Sequence, residues 1–306
     1  MAYIKMDGHA RSNGFGLMIR QGASVWLRLL RVHQWTKNLL IFVPLLASHR
    51  LGDLQAWVGC FRAVVGFSFL ASAVYILNDW FDVEADKLHP SKSSRPLASG
   101  DTAVQVALLA AFVCLGLSVW AFTFLPSTTF LIVVFYLLAN AVYTLWAKQV
   151  VFLDVVLLAS FYGARILVGG TASGIEVSNW LLAFSHFFFL GLALAKRCTE
   201  VRKTLVPGRG YTASDYPLMV TLGVCSSLLS VLVLVVYLNS PKVLELYRLA
   251  GPLWLVVPIL TYWVSRLWVL TTRGLLDDDP VLFAVRDPVT WGVGVVLCGL
   301  LFLSAR

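Results

Sequence analysis

Long apolar runs constrain the fold of this chain more than any other feature of its sequence. Several of them approach or exceed the roughly 20 residues that an α-helix needs to cross a bilayer. Only 13% of the residues are charged and 59% are hydrophobic, whereas about a quarter of a soluble domain is charged. The chain is therefore predicted to be an all-α, polytopic membrane protein folded as a helical bundle.

The apolar runs divide into nine predicted membrane spans. The first is short and contains Pro44, so we expect it to be kinked or tilted. The nine spans are residues 35–48, 54–77, 103–124, 128–146, 150–168, 180–195, 217–238, 252–270 and 289–304. No Pro/Gly/Ser-rich linker separates them, so we expect one transmembrane domain at residues 25–306, preceded by a cytoplasmic tail at residues 1–24.

Basic residues indicate the orientation of the spans. Most of the 24 Lys and Arg residues fall in loops on the same side as the N-terminus, which predicts that the N-terminus is inside and the C-terminus outside. The net charge of +8 needs no nucleic-acid partner, because this bias and anionic lipid headgroups account for it. We expect a bacterial-type inner (plasma) membrane protein with its active site facing the cytoplasm.

The five cysteines are scattered, form no CxxC pair and lie mostly inside apolar runs. An odd, scattered set argues against a disulfide framework or a zinc site. We interpret these cysteines as small buried apolar residues.

An acidic motif follows the second apolar run. Asp79, Asp82 and Asp86 are spaced i, i+3 and i+7, which places three carboxylates on one face of a helix, with Asn78 four residues before Asp82. Clustered carboxylates repel each other unless a cation lies among them. Oxygen-only ligands suit Mg²⁺, which commonly joins one or two carboxylates to substrate phosphates. The motif therefore predicts a magnesium site that handles a diphosphate at the membrane surface.

Other polar side chains near the predicted inner surface are candidates for binding phosphate. Arg suits bidentate phosphate contacts and Lys suits point-charge contacts, although basic residues at span ends are also ordinary membrane anchors. Glu200 could instead bind metal or orient Lys196. The candidates are Lys37, Asn38, Lys87, Arg95, Tyr143, Lys148, Lys196, Arg197, Glu200 and Tyr211, the last on a loop that could close the pocket.

Asp154 and Arg165 both lie inside one apolar run. Ionisable groups at membrane depth are costly and usually face a cavity or a partner. The two residues point the same way but are roughly 16 Å apart along a helix axis, too far to pair with each other. Each is therefore predicted to have another partner. Asp154 lies near the level of the acidic motif, whereas Arg165 could be functional or structural.

These motifs resemble the UbiA-type membrane prenyltransferases, from about Arg31 to the last span. Asn78-Asp79-x-x-Asp82-x-x-x-Asp86 looks like the first aspartate motif of that superfamily, whose members are membrane helical bundles with Mg²⁺ at the inner mouth of a cavity. The details resemble the branch of decaprenyl-phosphate phosphoribosyltransferases. The segments that carry this closer resemblance are Gln34-Trp35-x-Lys37-Asn38, His89-Pro90, Arg95-Pro96, Asp154 with Arg165, and Lys196-Arg197-x-x-Glu200.

The sequence departs from the ordinary prenyltransferase pattern at one informative place. Those enzymes carry a second Asp-rich motif after the sixth span, where this chain has Lys196, Arg197 and Glu200. One carboxylate among cations suits direct binding of a phosphate better than a second metal cluster.

The resemblance implies an enzyme that moves 5-phosphoribose from 5-phosphoribosyl 1-diphosphate to a polyprenyl phosphate, with Mg²⁺ as cofactor. It also implies roles for residues of the motif. Asn78, Asp79, Asp82 and Asp86 would hold the metal, and Asp154 or a motif carboxylate would stabilise a ribosyl cation. Two alternatives stay open: prenyl transfer to an aromatic or other small acceptor, and a transporter or lipid-binding protein without catalytic activity. The sequence leaves homo-oligomer formation open.

Overall fold

The structure is a computed structural model, and its described part is helical, with turns and no strand. Its helices are stabilised by backbone hydrogen bonds within each segment, as a lipid environment requires. The structure describes residues 22–48, 50–88, 92–203, 209–241, 243, 247, 251–276 and 280–304. Of the predicted tail at residues 1–24, residues 1–21 therefore lie outside the described part, and residues 22–24 begin a helix.

Eight longer helices make up most of the described chain. They are α1 (Leu54–Phe81), α2 (Val104–Thr123), α3 (Ser127–Leu145), α4 (Leu153–Ser173), α5 (Asn179–Lys203), α6 (Tyr216–Leu238), α7 (Val256–Arg273) and α8 (Pro288–Ser304). Within the described residues, seven helices, α1 to α7, are long and apolar enough to cross a membrane, and α8 is a shorter apolar helix. The all-α membrane fold is confirmed, but the count of nine spans is not.

The first predicted span differs most from expectation. Residues 35–48 lie in a 3₁₀ helix, Val32–Phe42, followed by a five-residue α-helix, Val43–Ala47. Pro44 occupies the first turn of that α-helix, where its missing N–H costs no hydrogen bond. The predicted first span is therefore two short helices of different type, and neither is long enough to cross a membrane.

Capping residues define where several helices begin and end. Asp53 precedes α1, and its carboxylate accepts hydrogen bonds from the backbone N–H groups of Gln55 and Ala56 at 3.0 and 3.1 Å. This is the usual way to satisfy the free N–H groups of a first turn. At the other end, α4 and α7 stop at Gly174 and Gly274, both in the left-handed conformation that favours glycine.

The chain divides into two compact units. The first comprises the described residues within Met1–Leu39 and Phe61–Leu125, and the second those within Leu40–Cys60 and Pro126–Arg306. The first unit has a small core that includes Leu29, Ile76 and Leu97. The predicted single domain at residues 25–306 stays a prediction.

The second unit has the larger core, in which α5 packs against both α4 and α6. Its helices approach closely where glycine removes a side chain. A Cβ atom on Gly169 would lie 2.0 Å from the carbonyl oxygen of Ile41, and one on Gly59 would lie 2.0 Å from that of Ala172. Backbone carbonyls cannot move aside cheaply, so these two positions require glycine.

Large apolar side chains also cover much of the outer surface. Phe112 and Phe135 are each 73% exposed, and Phe302 is 83% exposed. Soluble monomers rarely present large contiguous apolar patches to water. This surface matches a lipid environment.

Candidate functional site

The acidic motif lies in the first unit, at the end of α1. Its helix bends at Asp82 rather than running straight: α1 ends at Phe81, and a short helix, Val83–Lys87, follows. The backbone N–H of Asp82 still bonds the carbonyl of Asn78 at 2.9 Å, and that of Asp86 bonds Asp82 at 2.8 Å. Helical spacing therefore persists through the bend.

This local geometry brings Asp79 and Asp86 together. Both are buried, at 4% and 2% exposure, and both accept hydrogen bonds from one nitrogen of Arg95, at 3.0 and 2.5 Å. Arg31 donates a second, very short hydrogen bond to Asp79. The guanidinium groups neutralise two carboxylates that would otherwise repel each other at short range.

The other two members of the motif are less enclosed. Asn78 and Asp82 are half-buried, and no described residue hydrogen-bonds or pairs with the Asp82 carboxylate. Lys87 pairs instead with the exposed Glu84, at 2.7 Å. The motif therefore presents one unneutralised carboxylate beside two that are already engaged.

The segment before the acidic motif is held by a chain of hydrogen bonds. The Trp35 indole donates to Ser72 at 3.0 Å, and Ser72 donates to the carbonyl of Leu30 at 2.7 Å. Asn38 is only 1% exposed and donates to Ser68 at 3.0 Å. The Asn38 amide is thus buried against α1, whereas the neighbouring Lys37 is half-buried.

A second cluster of charges lies in the second unit, where α4 begins and α5 ends. Asp154 is fully buried and accepts a hydrogen bond from Nε of Arg197 at 2.6 Å. Arg197, 1% exposed, also donates a very short hydrogen bond to Glu200 and a 3.3 Å hydrogen bond to the Tyr143 hydroxyl. The sequence predicted all four residues as site residues, and the structure brings them together.

Two residues from the segment after α5 complete this cluster. Nη1 of Arg209 donates to the Tyr143 hydroxyl at 3.1 Å and lies 3.6 Å from Asp154. The Tyr211 hydroxyl donates a very short hydrogen bond to Asp154. Burial and this hydrogen bond raise the pKa of Tyr211 well above its usual range. The sequence analysis did not select Arg209, although Gly210 beside it was a signal of a close backbone approach.

Arg165 lies elsewhere on α4, as its 11-residue separation from Asp154 predicted. It donates to the carbonyl of Phe161 at 2.7 Å and to the Tyr136 hydroxyl at 3.3 Å. The prediction that Asp154 and Arg165 each have separate partners is confirmed. Lys148 lies just before α4 and Lys196 lies near the end of α5, and both are half-buried.

The acidic motif has the oxygen ligands of a magnesium site. Among the described residues no group of three His, Cys, Asp or Glu side chains could hold a metal ion. Mg²⁺ needs fewer, because it commonly takes one or two carboxylates and completes its shell with water and substrate phosphates. Asp79 and Asp86 already converge on one cationic nitrogen, and Asp82 adds a carboxylate that no residue in the described part of the chain pairs with. The residues present therefore fit a hard divalent cation.

Residues 39–286 match the profile of the UbiA prenyltransferase family. The chain is 35% identical to the uncharacterized protein y4nM of Sinorhizobium fredii, over 91% of this chain and 55% of that protein. It is 32% identical to nodulation protein NoeC of Azorhizobium caulinodans, over 89% of this chain and 91% of that protein. It is also 33% identical to decaprenyl-phosphate phosphoribosyltransferase of Corynebacterium glutamicum, over 57% of this chain and 54% of that protein. The chain thus spans about half the length of two of these relatives.

A solved structure supports the fold. The UbiA homolog from Archaeoglobus fulgidus, bound to DMAPP and Mg²⁺, superposes with a TM-score of 0.66 at 19% identity, covering 91% of this chain and 98% of that one. The chain therefore belongs to the UbiA prenyltransferase family and is an integral membrane protein, as the sequence motifs predicted.

Proposed function

We propose that this chain transfers 5-phosphoribose from 5-phosphoribosyl 1-diphosphate to a polyprenyl phosphate at the inner face of a bacterial membrane. One observation carries the proposal: the cluster at the end of α5 pairs its carboxylates, Asp154 and Glu200, with arginine. The acidic motif has a further carboxylate, Asp82, that pairs with no described residue, whereas both carboxylates of this cluster are occupied by Arg197. The cluster suits an anionic phosphate, which leaves one metal-bound diphosphate for the acidic motif.

Asp79, Asp82 and Asp86, with Asn78, are the residues that would hold Mg²⁺ on the donor. When bound, Mg²⁺ would neutralise negative charge on the departing diphosphate. Arg31 contacts Asp79, and Arg95 contacts both Asp79 and Asp86. These arginines hold the acidic side chains in place and balance their charge.

The second cluster and Lys196 are assigned to the lipid phosphate. In the proposed reaction a phosphate oxygen forms a bond to the anomeric carbon of the ribose. The bond from that carbon to the diphosphate breaks, and the diphosphate leaves with the electron pair. The phosphate is already ionised at neutral pH, so no residue of the chain has to remove a proton.

Two kinds of relative support different versions of this chemistry. The Corynebacterium relative carries the name decaprenyl-phosphate phosphoribosyltransferase, which favours the proposal. The Archaeoglobus structure is bound to DMAPP, a prenyl diphosphate, which favours the alternative of prenyl transfer to a small acceptor. The two candidates differ in the donor they require.

The test is transfer of labelled 5-phosphoribose from 5-phosphoribosyl 1-diphosphate to polyprenyl phosphate, in membranes that contain the full chain. We expect labelled lipid that depends on Mg²⁺ and that is lost in Asp82→Asn, a variant that keeps the shape of the side chain. Asp101→Asn is the matched control, because Asp101 is an exposed acid in the same unit that pairs with Arg28 at 3.0 Å.

No labelled lipid from a folded wild-type chain would overturn the proposal. The same membranes would then be given a labelled polyprenyl diphosphate and an aromatic acceptor. Product in that second reaction would establish the prenyl-transfer alternative.

A further inference from the structure

The segment that carries Arg209 docks tightly on the turn between α3 and α4. A Cβ atom on Gly210 would lie 2.4 Å from the carbonyl oxygen of Gln149 and 3.1 Å from the side chain of Val151. Any other residue at position 210 would push the segment away from the turn. Glycine therefore permits a close approach that places its neighbours, Arg209 and Tyr211, against the start of α4.

Tyr211 anchors this docking. Its side chain is buried, and its ring packs edge-on against Phe152, with the ring centroids 6.0 Å apart. Its hydroxyl accepts a hydrogen bond from the backbone N–H of Phe152 at 2.9 Å and donates one to Asp154. Both hydrogen-bonding functions of the hydroxyl are therefore used within the protein.

The turn that Tyr211 holds is strained. Phe152 has φ of +65°, a conformation that is costly for a bulky residue with a Cβ atom. The hydrogen bond from its N–H to Tyr211 and the ring contact compensate for that strain. Tyr211 thus acts as a positioning residue for the α4 turn.

The two arginines of the cluster differ sharply in what they can still bind. Arg197 uses all three of its nitrogens, on Asp154, Glu200 and Tyr143, and its side chain is 2% exposed. Arg209 is 25% exposed and uses only Nη1 among the described residues. No described residue forms a hydrogen bond with its Nη2 and Nε groups, and two adjacent N–H groups of a guanidinium match the geometry of a phosphate.

We infer that Arg209, rather than Arg197, is the arginine that binds the substrate's phosphate group, and that Gly210 and Tyr211 hold it in place. This inference rests on the proposed function, because it takes polyprenyl phosphate as the ligand of the second cluster. Arg197 then neutralises two buried carboxylates, and Arg209 provides the positive charge that faces the ligand.

The test measures binding rather than turnover, so it needs no ribosyl donor. The full chain in detergent is titrated with a polyprenyl phosphate and, separately, with the corresponding uncharged polyprenol, by native mass spectrometry. We expect Arg209→Ala to weaken phosphate binding by about 10- to 100-fold, the value of a charge-assisted hydrogen bond, and to leave polyprenol binding unchanged. Arg209→Lys should fall in between, because it keeps the charge and loses the paired N–H groups.

Arg273→Ala is the matched control, because Arg273 is exposed at the end of α7 and the substitution removes the same charge. It should bind both lipids as the wild-type chain does. Unchanged phosphate binding in Arg209→Ala would overturn the inference, as would an equal loss for both lipids. A wild-type chain that binds the phosphate no better than the alcohol would also overturn it.

The positioning role has a test of its own. Tyr211→Phe should reduce the preference for phosphate over alcohol, and adding Phe152→Gly should restore it, because glycine adopts the positive φ without strain. Failure of the double variant to recover the preference would refute the role of the turn.

The outcomes separate the two proposals. If no ribosyl transfer occurs but Arg209→Ala selectively loses phosphate binding, the donor assigned above is wrong and the phosphate site stands. If transfer occurs and Arg209→Ala binds normally, only the assignment of Arg209 fails.

Discussion

Replacing Asp154 by asparagine tests whether the second cluster is held together by charge. The substitution keeps the size and shape of the side chain and removes its negative charge. Asp154 is fully buried and its partner Arg197 is 2% exposed. Removing one partner of such a pair costs about 3–5 kcal/mol, because the other charge is left uncompensated. Glu200 still pairs with Arg197, so we expect a loss near the lower limit, about 3 kcal/mol.

The measurement is the free energy of unfolding of the full chain in mixed micelles, in which the fraction of a denaturing detergent is increased stepwise. Asp53→Asn is the matched control, because it makes the same chemical change at an exposed ion pair with Arg50 and asparagine still caps a helix. The control should cost less than about 1 kcal/mol. The reasoning would be refuted if Asp154→Asn cost no more than Asp53→Asn.

Three further predictions follow from other parts of the structure. Gly169→Ala should prevent folding or lower stability by several kcal/mol, measured as the yield of monodisperse protein, because its Cβ would overlap the carbonyl of Ile41; normal yield would contradict this. Burial opposes ionisation of Asp287, but hydrogen bonds from Arg266 lower the pKa of its carboxyl group. Wild type should therefore be more stable than Asp287→Asn above about pH 4. This difference in stability should disappear as the pH falls below that value. Tyr211→Phe should cost about 1–3 kcal/mol in the same unfolding assay, because it leaves a backbone N–H without a partner; a loss within error would count against the anchor.

Hydropathy predicted the helices well where their residues are apolar and less well where polar residues continue them. The predicted second span ended at residue 77, whereas α1 continues to Phe81 through Asn78 and Asp79. The predicted fifth span ended at residue 168, whereas α4 continues to Ser173. Ser173 can be buried in this last turn because its hydroxyl donates to the carbonyl of Gly169 at 2.7 Å. A hydropathy window cannot detect such compensation, because it scores the polar group and not its partner.

The sequence predicted which residues belong to the candidate site better than it predicted the contacts that each of them makes. Helical spacing correctly placed Asp79 and Asp86 on one side of a helix, and the cost of buried charge correctly required a partner for Asp154. Spacing could not reveal that all three nitrogens of Arg197 bond to protein groups, because its partners lie up to 54 residues away. Nor could it reveal Arg31 as a partner of Asp79, 48 residues away.

The contacts that Tyr211 and Arg197 make with Asp154 at the start of α4 have a consequence for folding during synthesis. Asp154 leaves the ribosome 57 residues before Tyr211 and 43 residues before Arg197. During synthesis its carboxylate therefore has none of the partners that later enclose it, and it must stay hydrated at the membrane surface while α4 inserts. The turn can close only after α5 has entered the membrane and returned the chain to the same side. A nascent chain that stalls between these two points would keep an open α4 turn, because Asp154 would lack both Arg197 and Tyr211.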